Sequence, residues 1–228
     1  EVIVVINAST GSDTAILAKN TETAALAREW IANHNDSRLK FYLLEHNDLP
    51  AKHAGVGLAR KIGMDEALWR YGGIKRDGIL ICYDADCTCD INYLTAIEDH
   101  FRIHADTPGC SIYFEHPTSG TDYPATVYDG IARYELFLRY YVQGLRYSGF
   151  PYAYHTVGSS MAVRASAYYL QGGMNKRKAG EDFYFLHKVV PLGDLLEVTE
   201  TTVFPSARIS DRVPFGTGKA QGEWISKS

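Results

Sequence analysis

Short apolar runs alternate with amphipathic stretches from Val2 to Phe114, and that alternation narrows the folds open to this chain. Val2-Ile3-Val4-Val5-Ile6 is apolar at every position, which suits a strand buried on both faces of a helix-covered sheet. A strand is expected from Glu1 to Ala8, broken by Gly11-Ser12-Asp13. A helix follows, in which Leu26 with Trp30 and Ala27 with Ile31 form apolar pairs four residues apart. Leu39 to Glu45 reads as a second strand, and Gly57 to Tyr71 as a helix with Leu58, Ile62 and Leu68 facing inward. Gly78 to Tyr83 reads as a third strand. Asp90 is placed to cap a helix from Ile91 to Ile103, and Cys110 to Phe114 makes a fourth strand. Strands and helices in this order predict an open, parallel α/β sheet, with ligands beyond the carboxyl ends of its strands.

The second half has a different texture. Ala125 to Tyr147 reads as one long helix, with Tyr134, Phe137, Leu138, Tyr141 and Leu145 at helical spacing. That stripe suits a core-facing surface, or in part an acceptor groove or contact with a membrane-borne acceptor. Ser159 to Arg164 reads as a strand, Ala165 to Leu170 as a short helix, and Phe183 to Val190 as a further helix after the basic segment Asn175-Lys176-Arg177-Lys178.

Composition excludes several classes of function. The 228 residues are 46% hydrophobic and 22% charged with a net charge of -4, which fits a globular protein and disfavours nonspecific grip on nucleic acid. No apolar run approaches the roughly 20 residues that span a bilayer. The sequence shows no secretory signal, so a cytoplasmic location is expected, with work at the cytoplasmic face of a membrane allowed. Glu1 opens at once on a strand, which suits a domain excised from a longer protein. The four cysteines read as structural thiols, since Cys87-Thr88-Cys89 has no second ligand pair at finger-like spacing. Sixteen tyrosines suit stacking on sugars or bases, and interior packing equally well.

Two acidic constellations carry the chemistry. The third strand runs straight into Asp84-Ala85-Asp86, and carboxylates this close resist joint ionisation unless a cation or several donors offset them. Such a step at a strand end can seat a divalent metal that carries phosphates. Glu181-Asp182 follows Gly180 at a helix start, where acids also serve as ordinary caps.

With both acid motifs in an α/β pattern, the chain resembles inverting glycosyltransferases of the GT-A fold, family 2 type. The resemblance runs from Val2 to about Val203. It rests on the opening strand through Asn7, Gly57-Leu58-Ala59-Arg60, Asp84-Ala85-Asp86 as a DXD motif, Ser159 to Arg164 with Gly172-Gly173, and Gly180-Glu181-Asp182. It implies a single Rossmann-like α/β domain over residues 1–228, with a mostly parallel sheet flanked by helices. Residues 1–117 would be the nucleotide-sugar half and residues 118–228 the acceptor half. Asp86 would bind manganese or magnesium bridging the donor diphosphate, with Asp84 on the ribose or a metal water. Asp182 would be the catalytic base, and Glu181 would orient the acceptor or cap its helix. Asn7, Ala8, Ser9 and Glu45 would border the nucleotide base, with Arg60 near base and phosphates. The implied donor is a nucleotide-diphosphate sugar, first a UDP-sugar, and the acceptor a saccharide or lipid-linked hydroxyl. Polysaccharide or glycoconjugate synthesis of a bacterial type, by a hexosyltransferase-like enzyme, is the implied setting.

The chain departs from that family at three places. Lys61 follows Arg60 where relatives often carry Asn, and Glu45 replaces a shorter Asp. Pro205-Ser206-Ala207-Arg208 stands where several relatives supply a metal-binding His. Arg208 and Arg212 are therefore alternative sources of positive charge for the leaving diphosphate, and ordinary surface arginines otherwise. His116, at the exit of the fourth strand, is a candidate donor or acceptor contact, or a loop residue. His100 and His104 lie four apart beside Glu98 without a third zinc ligand, and Gly55-Val56-Gly57 lacks the strand and third glycine of a dinucleotide site. Sugar-phosphate nucleotidyl transfer is a competing activity, disfavoured because Ala8 to Asp13 holds one glycine and no basic residue. A noncatalytic nucleotide- or carbohydrate-binding module is the other alternative.

Overall fold

The computed structural model describes residues 1–34, 36, 38–210 and 216–226. The chain divides into two units: Glu1–Gly78 with Gly172–Glu181, and Ile79–Gln171 with Asp182–Ser228.

In the first unit, β1 (Val2–Ser9) and β2 (Phe41–Leu49) pair in parallel, with Val2 opposite Phe41 and Asn7 opposite His46. Parallel neighbours need a crossover, and α1 (Thr14–Asn33) supplies it. Asp13 caps this helix, its Oδ1 accepting from the Ala15 N–H at 2.8 Å. Ala24 is its fully buried residue, and Leu17, Asn20, Ala27 and Ile31 are half-buried around it at three- and four-residue steps. The Leu26–Trp30 pair does not face inward as expected: both are exposed. Leu26 lies about 200° around the helix from Ala24, on the far side of the stripe. Trp30 stacks instead on His34, with ring centroids 4.3 Å apart. The next helix, α2 (Val56–Ile74), buries Leu58 and Met64.

In the second unit, β3 (Ile79–Cys82), β4 (Thr88–Cys89), β5 (Gly109–Phe114), β6 (Met161–Arg164) and β7 (Leu196–Phe204) form one sheet in the order β3-β6-β5-β7-β4. The architecture is α/β, as the alternation predicts. The sheet is mixed rather than mostly parallel: only β5 with β7 runs parallel, while β6 opposes both β3 and β5, and β4 opposes β7. Apolar runs announce strands but carry no mark of their direction, which long-range connections decide.

One core of this unit joins Tyr93, Ile97 and Phe101 of α3 (Tyr93–Ile103) to Cys110, Ile112 and Phe114 of β5 and to Val198 and Val203 of β7. Each such side chain contributes about 1.5–3 kcal/mol by leaving water. A second cluster joins Val127 and Ile131 of α4 (Ala125–Tyr147) to Ala207, with Tyr123, Tyr134 and Ile225 packed around it. The bounds of α4 match the sequence expectation, and its expected stripe is split, with Tyr134 and Leu138 packed inward. Val127, Ile131, Glu135 and Val142 are buried, whereas Phe137 and Tyr141 are exposed. Further helices are α5 (Ala165–Leu170), α6 (Glu181–Val189) and α7 (Thr217–Ile225).

Asp90 does not cap α3. That helix begins at Tyr93, and the Asp90 carboxylate instead accepts from the Thr202 N–H at 2.8 Å. The cause lies just upstream, where Thr88 and Cys89 pair with Phe204 and Val203 and draw Asp90 along β7. No described helix is long and apolar enough to cross a membrane.

Candidate active site

The acidic step leaves β3 and closes on itself, the Cys87 N–H donating to the Asp84 carbonyl at 3.0 Å. Pairing of β4 with β7 then sets this turn beside the segment that follows Phe204. That segment is firmly anchored. Ala207 is fully buried in the cluster under α4, and Ser206 Oγ lies 2.8 Å from the Tyr123 hydroxyl while accepting the Arg208 N–H at 3.2 Å. From this anchor Arg208 reaches Asp86, its Nε donating to Oδ2 at 2.5 Å. The two side chains are 40% and 38% exposed, so the pair is worth only about 0.2–1 kcal/mol.

Cys87 reports the charge in this turn. Burial raises its thiol first, and the Asp84 and Asp86 carboxylates raise it further against a hydrogen bond from Ser159, to about 11. The sequence reading treats Cys87 as a plain structural thiol. Its position directly after two acids is the signal that marks it out.

Asp182 stands in the first turn of α6, half-buried, with the Phe183 N–H on its Oδ1 at 2.7 Å. It acts electrostatically on Tyr134, whose hydroxyl is raised by burial first and by Asp182 in addition, while a hydrogen bond with Thr217 opposes. Tyr134 packs on the cluster that holds Ala207. Arg208, the partner of Asp86, directly follows Ala207 of that cluster, and Tyr134, which feels the charge of Asp182, packs on it. Beyond Asp182 a series of rings continues: Phe183 to His187 at 4.0 Å, His187 to Tyr152 at 5.0 Å and Tyr152 to Phe150 at 5.6 Å between centroids.

In the first unit, Asn7, Ala8 and Ser9 lie at the carboxyl end of β1, the edge where parallel sheets take ligands, but Glu45 does not end its strand: it pairs with Ile6 in mid-strand, because β2 runs on to Leu49. The Asn7 carbonyl accepts from Asn20 Nδ2 at 3.2 Å, Ala8 is buried, and Ser9 bonds Ser12 through both its N–H and its hydroxyl. Glu45 is ion-paired with Arg28. Arg60 and Glu181 are ion-paired with each other, and both side chains are nearly enclosed. Glu181, expected to orient the acceptor or to cap its helix, has Arg60 as its ion-pair partner. Gly57 permits it: a Cβ there would run into the Arg177 carbonyl and crowd the Glu181 side chain.

His116 is a loop residue just beyond β5, one of the two readings its sequence position allowed. It is 2% exposed, and its Nδ1 lies 2.5 Å from Glu135 Oε2, which also accepts the His116 N–H at 3.2 Å. Arg139 pairs with the other Glu135 oxygen and donates to the Phe114 carbonyl at 2.6 Å. Burial opposes the Glu135 charge, but His116 and Arg139 outweigh it and hold the carboxyl below its usual range. His116 is therefore part of a buried polar network with Glu135 and Arg139. The sequence reading does not find Glu135 as its partner, although Glu135 shares the inward face of α4 with Ile131 and Leu138.

Among the described residues no three His, Cys, Asp or Glu side chains gather to hold a metal, the His100–His104 pair included. Asp84 and Asp86 still suit the mode in which magnesium or manganese takes one or two carboxylates and completes its shell with phosphates and water. Arg212 lies outside the described residues. Comparison with protein-family models finds none that matches, and comparison with curated proteins finds no match.

Proposed function

We propose that this chain is an inverting glycosyltransferase that moves a sugar from a nucleotide-diphosphate donor, first a UDP-sugar, to a hydroxyl of a saccharide or lipid-linked acceptor. One observation carries the reading: the Asp84-Ala85-Asp86 turn is paired through Asp86 with Arg208, whose neighbour Ala207 lies in the cluster on which Tyr134 packs, and the charge of Asp182 is felt at Tyr134. An acid pair for a phosphate-bearing donor and a separate carboxylate for a proton are what sugar transfer requires.

Asp86 with Asp84 would hold magnesium or manganese, which when bound supplies positive charge to the departing diphosphate. Asp182 takes the proton of the acceptor hydroxyl as its oxygen bonds to the anomeric carbon. The bond from that carbon to the diphosphate oxygen breaks, its electron pair leaves with the diphosphate, and configuration inverts. The rings from Phe183 to Phe150 offer apolar faces on which a sugar or lipid acceptor can rest. Action at the cytoplasmic face of a membrane belongs to the same proposal.

Asp182→Asn tests it. Transfer should fall by about 10²–10⁴-fold while donor affinity holds, since a general base contributes on that order. Near-normal turnover in that variant removes Asp182 as the base. Binding of UDP, GDP and dTDP sugars without transfer to any hydroxyl acceptor would favour a binding module instead.

A further inference from the structure

We infer that Arg208 is a built-in counter-ion that competes with a divalent cation for Asp86 and passes to the donor diphosphate, so that metal and nucleotide bind cooperatively. This rests on the transferase reading of the same site.

Three features of the site support the exchange. The first is the anchoring of Arg208. Its backbone is fixed on one side by buried Ala207 and held by Ser206, which Tyr123 holds in turn, so its reach to Asp86 is built in. The second is the weakness of the pair. Asp86 and Arg208 are each more than a third exposed, and pairs of this kind exchange readily for better partners. The third is chemical preference. A guanidinium binds phosphate through paired N–H groups, and contact with Asp86 through Nε still leaves its terminal amino groups as donors.

Together these features define a linkage. With no nucleotide present, Arg208 occupies an Asp86 oxygen and sets its positive charge against an incoming cation. A diphosphate draws Arg208 away, which releases the Asp86 oxygen to the cation, and the cation in turn attracts the diphosphate. Thermodynamic reciprocity then requires each ligand to tighten the other by the same factor.

Titration of Mn²⁺, followed by electron paramagnetic resonance of the free ion, tests this with and without saturating UDP, or with GDP or dTDP if one of those binds better. The proteins are the wild type, Arg208→Ala and Arg208→Lys, each first shown by circular dichroism to be folded. In the wild type, nucleotide should tighten Mn²⁺ binding about tenfold. Arg208→Ala should bind Mn²⁺ alone about two- to fivefold more tightly than the wild type, as removal of a competing exposed ion pair allows. Its nucleotide coupling should fall, and Arg208→Lys should keep part of it. Unchanged Mn²⁺ affinity and unchanged coupling in Arg208→Ala would overturn the inference and leave the transferase reading standing. So would nucleotide binding that ignores both metal and Arg208. Failure of every nucleotide to bind the wild type, with or without Mn²⁺, would remove both.

Discussion

The guanidinium of Arg60 grips the carboxylate of Glu181 across 121 positions of sequence, with the side chains only 10% and 4% exposed. Glu181→Gln withdraws this counter-charge from a nearly enclosed guanidinium and should cost about 3–5 kcal/mol in urea unfolding. The double variant, Arg60→Met with Glu181→Leu, should recover most of that loss, because it removes both charges together. A cost below about 1 kcal/mol for Glu181→Gln would mean the pair is solvated.

Cysteine chemistry offers a reading of the acidic turn that does not depend on turnover. Cys89 is exposed, whereas burial pushes Cys110 up to about 12, and burial with the nearby acids pushes Cys87 up to about 11. Iodoacetamide at pH 8 should therefore modify Cys89 first and leave Cys87 and Cys110 slow, since the thiolate is the reacting form. Mn²⁺ with nucleotide should speed Cys87 selectively, because a cation at Asp86 offsets the charges that disfavour its thiolate. Peptide mass mapping over time reads both effects, and equal rates at Cys87 and Cys89 would contradict the first.

Stability should fall on the acid side in two stages. His155 and His100 are held below the ordinary histidine value, first by burial, with nearby positive charge adding to it. Once unfolded they bind protons near pH 6.5, so below that value the unfolded chain takes up more protons and stability declines. Glu135, depressed in the folded protein, contributes stability that is present above its unfolded value of about 4.3 and lost as pH falls through its folded value. Urea midpoints followed from pH 8 to well below pH 4 should show both stages. His155→Asn should flatten the first and leave the second.

The two faces of α4 should respond differently to truncation. Ile131 is wholly buried, so Ile131→Ala should cost about 2–5 kcal/mol. Leu136 and Tyr140 are 69% and 77% exposed, and replacing each with Ser should change stability by about 0.5 kcal/mol or less. If that face carries a lipid-linked acceptor, the same two changes will lower transfer to vesicle-borne acceptors and spare transfer to short soluble ones.

Periodicity in the sequence made α4 legible to its ends, and the apolar runs located β1, β3 and β5 within a residue or two. Three features stayed hidden for physical reasons. Strand direction is decided by pairing across the chain, so the mixed sheet could not be read from local runs. β4 is a two-residue strand with no apolar signature, and its pairing diverted Asp90 from the cap it was expected to make. Partners of buried charges were the third gap, because Arg60 with Glu181 and His116 with Glu135 lie far apart in sequence. For the acidic site, Arg208 was recognised as a source of positive charge, but its contact with Asp86 depends on the β4–β7 register.

That register also sets when the acidic site can exist. Asp86 and Arg208 are 122 positions apart, and their partnership depends on Thr88 finding Phe204. Contacts of such high order form slowly, after local helices have settled. During synthesis the Asp84-Ala85-Asp86 turn emerges long before its basic partner and must wait with its charges balanced only by solvent and ions. The site should thus be among the last parts to mature, and an amide-exchange pulse during refolding would find Cys87 and Asp90 protected later than the core of α4.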